Sequence, residues 1–193
     1  MMNRNRLEAF SDGVIAIIIT IMVMELKVPH GHEWSDLRPL VPLFASYLLS
    51  FIYVAIYWVN HHHLLHATHS VNSKILWANI HLLLWLSLIP FATAWMGENK
   101  FEGPPMIVYS LLLILCGLAY YILQQLIAAS LPPESHYYDA MSKQRWKGMV
   151  SLVGYSIAAI IASFYPIVSE IIFFVIAGMW FIPDRNIERA TKN

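Results

Sequence analysis

Five histidines fall within nine residues of this sequence: His61, His62, His63, His66 and His69. Imidazole nitrogens are the commonest protein ligands of transition metals, and two histidines spaced four apart on a helix can bind one ion. His62 and His66 have that spacing. The cluster therefore raises two hypotheses, a metal-dependent reaction and an adventitious binding of zinc or nickel by His62, His63 and His66.

The metal-enzyme hypothesis needs more than one such string. The H-H-x-x-H order is similar to a reversed histidine box of membrane di-iron desaturases, which bring several boxes together on one side of the membrane. The other histidines are scattered at His30, His32, His81 and His136, so we expect no catalytic residues, no enzyme and no cofactor. The alternative is that the cluster caps the end of a span. Protonation below about pH 6.5 would add positive charge there and make pH-dependent modulation conceivable.

A second group whose chemistry could be functional is the carboxylate of Asp12. Only 12 uncharged residues separate it from Glu25, which is about 18 Å of helix against roughly 30 Å of hydrocarbon. A carboxylate at this depth is costly unless it faces a bundle interior, water or a partner charge. Arg6 is not at a same-face helical spacing, so we expect a partner on another helix. The alternative is a helix end at the interface, with Asp12 solvated.

The helix that carries Asp12 has two unlike sides when it is projected at about 100° per residue. Small and hydroxylated residues share one stripe: Gly13, Ile17, Thr20 and Met24, flanked by Ala16 and Ile21. The opposite side is aliphatic and suits lipid or neighbouring helices: Ile15, Ile18, Ile19 and Met22. The stripe has two interpretations, close helix packing through small residues and the lining of a pore.

The elements that position these residues are long apolar helices. Of the 193 residues 58% are hydrophobic and 12% charged, against about 45–50% and 25% in globular proteins. Twelve basic residues balance twelve acidic ones, which argues against a nucleic-acid partner, and a lone Cys116 excludes a disulfide framework. Apolar runs between Pro and Gly signals predict six transmembrane helices. They cover residues 7–28, 40–59, 75–96, 106–130, 149–165 and 167–182.

Six spans place both termini on one side of the lipid bilayer. If that side is the cytoplasm, it holds nine basic residues: Arg4, Arg6, Lys74, Lys143, Arg145, Lys147, Arg185, Arg189 and Lys192. The other side holds Lys27, Arg38 and Lys100. The positive-inside rule then predicts cytoplasmic termini. We expect an all-α integral membrane protein, a single domain over residues 1–193, without a cleaved signal peptide or an ectodomain.

A sequence string at the start of the first span carries a family resemblance. Arg6, Phe10, Ser11 and Asp12 spell R-x-x-x-F-S-D directly before an isoleucine-rich run. This string, the six spans and the length resemble the single-repeat prokaryotic members of the transmembrane protein 175 family of potassium channels (domain of unknown function 1211). The resemblance implies a homotetramer in the prokaryotic plasma membrane that conducts K⁺ as its permeant ion, without a carbonyl-lined filter.

The resemblance also implies a pore lined by the first span at the centre of the oligomer. Rings at Ile17, Ile21 and Met24 would form its hydrophobic constriction, with Thr20 as a hydroxyl layer. Met24 departs from the branched aliphatic residue that is more frequent in the family. A ring of isoleucines makes a narrow apolar neck of the kind that gates by dewetting.

The family motif is implied to hold the first span against its neighbours through Arg6, Phe10, Ser11 and Asp12. Trp77, Asn79 and His81 of the third span are the candidate partners. Trp77 and His81 share a face and can donate to a carboxylate, whereas Asn79 points elsewhere. His81 bonded to a backbone carbonyl is equally consistent with the sequence. Glu8 and Asp12 either raise the local cation concentration or pair with Arg6.

Two other functions remain open, a non-conducting membrane scaffold and a proton-coupled transporter. Transporters usually carry internal repeats and helices broken near the midplane, and the two halves of this chain show no convincing similarity. Pro90 is expected to kink the third span. In the fifth span, Gly154, Ala158 and Ala162 predict a helix-packing seam.

Overall fold

The computed structural model describes residues 3–68, 71–131 and 136–181, and for residues 136–144 it describes the backbone alone. The elements in these ranges are helices, as the sequence predicts. They are α1 (Arg4–Met24), α2 (Val41–His66), α3 (Ser73–Leu86), α4 (Ile89–Glu98), α5 (Gly103–Ala128), α6 (His136–Ile161) and α7 (Pro166–Phe181). A short 3₁₀ helix, Trp34–Leu40, leads into α2.

Local sequence signals set several helix boundaries. The side chain of Asn3 accepts a hydrogen bond from the backbone N–H of Asn5 at the start of α1, and Asn72 does the same for Ile75 at the start of α3. These side chains satisfy N–H groups that have no partner within the helix. The predicted kink at Pro90 is a break: the third span is divided into α3 and α4, with Pro90 in the first turn of α4, where its missing N–H is harmless.

Four stretches within the described ranges are long and apolar enough to cross a membrane. They are Arg4–Met24, Trp34–His66, Ser73–Glu98 and Gly103–Ala128. Each of the six predicted spans thus has a helical counterpart, but the last two do not reach this standard. The helix α7 is apolar but has 16 residues, about 24 Å, and α6 is free of charged residues only from Gly148 onward.

The pore-helix candidate α1 packs on α2, α3 and α4, while α5 packs on α3, α4 and α6. The predicted seam on α6 lies against α7: a Cβ on Gly154 would come within 2.6 Å of Ile176 Cδ1. Ala158 and Ala162 are fully buried, and the hydroxyl of Ser169 donates to the carbonyl oxygen of Ala158 at 2.9 Å. Small residues on α6 therefore allow α6 and α7 to form a tight hairpin.

A buried polar layer ties α2 to the helices around it. The hydroxyl of Ser50 lies 2.9 Å from that of Tyr109 on α5 and 2.7 Å from that of Thr93 on α4. One turn further along α2, the hydroxyl of Tyr53 donates to the carbonyl oxygen of Phe173 on α7 at 2.7 Å. Hydroxyl groups are buried here without cost because each has a hydrogen-bond partner.

Contacts at the two ends of α1 fix how it runs through the bundle. At its beginning, Arg4 donates to the backbone carbonyl of His66, the last residue of α2, at 3.3 Å. We call this the N-terminal end of the bundle. Beyond its last turn, Lys27 forms an ion pair with Glu98 at the end of α4, and the carboxylate raises the pKa of the Lys27 amine. Helix α1 thus runs antiparallel to α2 and parallel to the α3–α4 span.

Candidate functional site

The two sides of α1 have different surroundings. The residues that pack into the bundle follow a helical period: Leu7, Ser11, Ile15, Ile18 and Met22. The residues that the sequence places on the small-residue stripe are exposed: Gly13, Ala16, Ile17, Thr20, Ile21 and Met24. Ile17 and Met24 keep 60% and 76% of their surface accessible. Packing within one chain therefore uses the aliphatic side of α1 and leaves the stripe uncovered by the described residues.

The side chains of the stripe make no hydrogen bond with other helices among the described residues. A Cβ on Gly13 would meet nothing within 4 Å among the described residues. The hydroxyl of Thr20 donates to the carbonyl oxygen of Ala16 on the same helix at 2.9 Å. Thr20 therefore needs no partner on a neighbouring helix, and its oxygen lone pairs remain available on the exposed side.

Ser11, on the packed side of α1, begins a buried chain of hydrogen bonds. Its hydroxyl donates to the carbonyl oxygen of Leu7 at 2.8 Å and accepts from the amide nitrogen of Asn79 at 3.0 Å. The amide oxygen of Asn79 lies 2.6 Å from Nε2 of His61, so the imidazole donates there. All three side chains of this network are buried, Ser11 and Asn79 completely. The Ser11–Asn79–His61 network joins α1, α3 and α2.

Two further polar pairs join α1 to α2 nearer the surface. The indole N–H of Trp58 donates to Oδ1 of Asp12 at 2.8 Å, and Nδ1 of His62 lies 2.9 Å from Oε1 of Glu8. The rings of Trp58 and His62 stack, with centroids 6.1 Å apart. Because the helices are antiparallel, the residue four positions after Glu8 on α1, Asp12, contacts the residue four positions before His62 on α2, Trp58. The carboxylate of Asp12 is thereby held by a donor from another helix.

Within the single chain, two of the expected partners, Trp77 and His81, make no hydrogen bond with the motif among the described residues. Trp77 is 68% exposed, and His81 accepts a hydrogen bond from Trp85 of its own helix at 2.9 Å. The residue that reaches α1 is Asn79, because the face of α3 opposite to Trp77 turns toward α1. Of the other motif residues, Arg6 is exposed and Phe10 keeps 55% of its surface accessible. In the single chain these two side chains lie on the outside of the bundle.

Trp58, His61 and the Glu8–His62 pair were not foreseen as partners of the first span. A signal for two of the contacts exists in the sequence: Glu8 and Asp12 are four apart on one helix, and Trp58 and His62 are four apart on the next. Residues four apart lie on the same face of a helix, so the two acidic residues of one span can each contact one aromatic residue of the next, antiparallel span. No comparable signal selects His61, since three consecutive histidines point about 100° apart and only packing decides which is buried.

The histidine cluster does not assemble a metal site in the described part of the chain, where no group of three potential ligands is close enough to hold an ion. His62 contacts Glu8 through Nδ1, and its ring lies 5.8 Å from that of His63 and 5.5 Å from that of His66. His69 and the side chain of His136 lie outside the described residues, as do those of Lys143, Arg185, Arg189 and Lys192.

Comparison with known proteins gives a consistent result. A family model described as the endosomal/lysosomal potassium channel TMEM175 matches residues 6–90. A potassium channel of Chryseobacterium sp. (strain P1-3) is 46% identical over 191 residues, which is 99% of both chains. A potassium channel of Streptomyces collinus is 34% identical over 128 residues, 62% of both chains. The crystal structure of a lysosomal potassium-selective channel TMEM175 homolog from Chamaesiphon minutus matches with a TM-score of 0.81. That match has 29% identity and covers 93% of this chain and 96% of the other.

Proposed function

Because this chain belongs to the TMEM175 family of potassium channels, we propose that it conducts K⁺ passively across the membrane through a pore lined by α1. The family is one of ion channels, so the chain is not a histidine-box enzyme. The R-x-x-x-F-S-D motif lies in the first turns of α1, and the family match covers this helix from Arg6 onward.

The observation that carries the pore assignment is the uncovered stripe of α1. A helix that packs on three neighbours through one side, and presents glycine, threonine and isoleucine on the other, has a second surface to bury. Lipid tails suit the isoleucines but gain nothing from Gly13 or Thr20. Four copies around a central axis would bring the four stripes together, which supports the homotetramer that the family resemblance implies.

In that tetramer, rings of Ile17, Ile21 and Met24 form the constriction and Thr20 supplies a layer of hydroxyl oxygens. An apolar neck of this kind excludes water when narrow and passes hydrated or partly hydrated cations when it widens. Rotation or tilt of α1 widens it, because these side chains lie on one side of the helix. Asp12 and Glu8 are held by Trp58 and His62, so we assign them the role of positioning α1.

The proposed topology is a six-span channel domain over residues 1–193, in a prokaryotic plasma membrane with cytoplasmic termini. Antiparallel α1 and α2 and the α6–α7 hairpin support alternate crossings. The basic residues Arg4, Arg6 and Lys74 lie at the N-terminal end of the bundle, the end that the positive-inside rule assigns to the cytoplasm. Membrane crossing by α6 and α7 is part of this proposal.

The function is tested by K⁺ flux from liposomes that contain the purified protein. The wild type is expected to release K⁺ faster than empty liposomes do. The Ile17→Asn variant is expected to raise the resting leak about tenfold or more, because a polar ring hydrates the neck. The matched control is Ile160→Asn, which changes another exposed isoleucine, 72% accessible, on α6. It should leave the leak unchanged.

Three results would contradict the proposal. Wild-type flux equal to that of empty liposomes would favour the scaffold. Flux that appears only with an opposing proton gradient would favour a proton-coupled transporter. Equal leaks from Ile17→Asn and the wild type, with K⁺ conduction intact, would remove Ile17 from the constriction.

A further inference from the structure

A cavity of about 470 Å³ lies between α2, α5 and α6, away from the exposed stripe of α1. This volume is in the range of small-molecule binding sites. Its inner end is formed by Tyr53 and Tyr155, which are almost completely buried. It extends toward the N-terminal end of the bundle, where Gln124 and Arg145 line it. None of these residues takes part in the proposed pore.

The cavity opens on the outer surface of the bundle, which faces lipid in the proposed topology. Its lining includes Leu118, Tyr121 and Met149, which keep 41%, 44% and 67% of their surfaces accessible. Most of the remaining lining is aliphatic or aromatic. A space of this polarity, open sideways at the depth of the hydrocarbon, is filled more favourably by an acyl chain than by water.

The mouth of the cavity is positively charged. Arg145 is exposed, lines the cavity and donates through Nη2 to the side-chain oxygen of Gln125 at 2.9 Å. A guanidinium has five N–H donors, so Arg145 can bind an anion while it keeps this contact. Two positions on, the amine of Lys147 lies 5.8 Å from the ring centre of Trp180, which also lines the cavity.

We propose that this cavity binds one anionic glycerophospholipid of the surrounding leaflet. One acyl chain occupies the apolar space between α2, α5 and α6, and the phosphate accepts hydrogen bonds from the guanidinium of Arg145. A charge at the mouth of an apolar slot selects for an anionic headgroup as well as for a chain, since basic pockets between helices near the cytoplasmic surface attract acidic lipids. The site does not depend on the proposed K⁺ conduction.

Two glycines make the proposal testable without loss of the fold. Gly148 lines the cavity, and a Cβ there would meet nothing within 4 Å among the described residues. Gly148→Leu therefore fills the cavity from its wall. Gly178 on α7 is also helical, exposed and open around its Cβ to the same extent, but it does not line the cavity. Gly178→Leu is the matched control.

The experiment is native mass spectrometry of the purified full-length protein after incubation with equal amounts of phosphatidylglycerol and phosphatidylcholine. The wild type is expected to retain about one phosphatidylglycerol per chain in preference to phosphatidylcholine. Arg145→Gln should reduce that preference about tenfold, and Gly148→Leu should abolish retention of both lipids. Gly178→Leu should behave as the wild type does.

Equal retention of the two lipids by the wild type would overturn the headgroup selection. An unchanged lipid count in Gly148→Leu would overturn the location. Thermal unfolding of each variant in detergent separates loss of binding from loss of fold. Potassium flux is measured in parallel, so that failure of the lipid site and failure of the channel function are distinguished.

Discussion

At the scale of single residues, the carboxylate of Asp12 is accommodated by a neutral donor. The indole N–H of Trp58 donates to this carboxylate, and the indole ring stacks on His62 of the same helix. The Ser11–Asn79–His61 network lies deeper in the bundle and joins three helices through side-chain hydrogen bonds. Polar groups fix the position of α1 in this way, while the aliphatic contacts around them supply the bulk of the packing.

Replacing Asn79 with leucine should destabilise the protein more than the same replacement at Trp77. Asn79→Leu leaves the buried imidazole of His61 and the hydroxyl of Ser11 without their shared partner, at a cost of about 2–4 kcal/mol. Trp77→Leu removes a side chain that is 68% exposed and should cost less than about 1 kcal/mol. Thermal unfolding in detergent compares the two variants, and equal midpoints would mean that the network does not hold α1.

Thr20→Val should separate conduction from stability. Among the described residues the hydroxyl of Thr20 bonds only to Ala16 of its own helix, so its loss should change the free energy of unfolding by less than about 0.5 kcal/mol. In the proposed pore the same change removes a ring of oxygen acceptors. We expect the ratio of K⁺ to Na⁺ flux in liposomes to fall. An unchanged ratio would exclude Thr20 from the conduction path.

At the scale of elements, the close approach of α2 and α4 depends on one glycine. A Cβ on Gly97 would lie 2.3 Å from Ser46 Oγ and 2.8 Å from Leu43 Cα. Since the second atom belongs to the backbone, the helices must separate to admit a methyl group.

Gly97→Ala should therefore lower the free energy of unfolding by about 1–3 kcal/mol. Gly178→Ala is the control, because its Cβ has open space and alanine favours a helix by up to about 1 kcal/mol. If Gly97→Ala unfolds at the same temperature as Gly178→Ala, then α2 and α4 do not meet at this point.

The two-sided character of α1 was predictable, but the rotation of α3 was not. Small residues segregate along α1 with the helical period, and that information is local. On α3, Trp77 and His81 are chemically suitable partners for a carboxylate, and nothing in the sequence states which side turns toward α1. That rotation is set by the packing of buried leucines such as Leu82 and Leu86 against the bundle. The boundaries of the spans also follow from local sequence signals, and the division of the third span follows from Pro90.

At the scale of the whole molecule, the proposed orientation can be tested by thiol labelling. The native Cys116 is completely buried, so introduced cysteines dominate the reaction with a membrane-impermeant maleimide. His32, whose side chain is 96% exposed, lies beyond the far end of α1, and exposed Lys74 lies near its beginning. In intact cells His32→Cys should be labelled, and Lys74→Cys only after permeabilisation. The reverse pattern would invert the topology.

The break between α3 and α4 has a mechanical consequence. Ser87 and Leu88 separate two rigid segments, and the hydroxyl of Ser87 returns to the carbonyl oxygen of Leu84 at 2.7 Å. The first segment holds α1 through Asn79 and the second holds it through the pair of Glu98 with Lys27. The third span thus contacts the two ends of the first span through separate helices, one on each side of its bend. We expect a change in the bend at Ser87 and Leu88 to move the far end of α1 relative to its beginning, because the two contacts with α1 lie on either side of the bend.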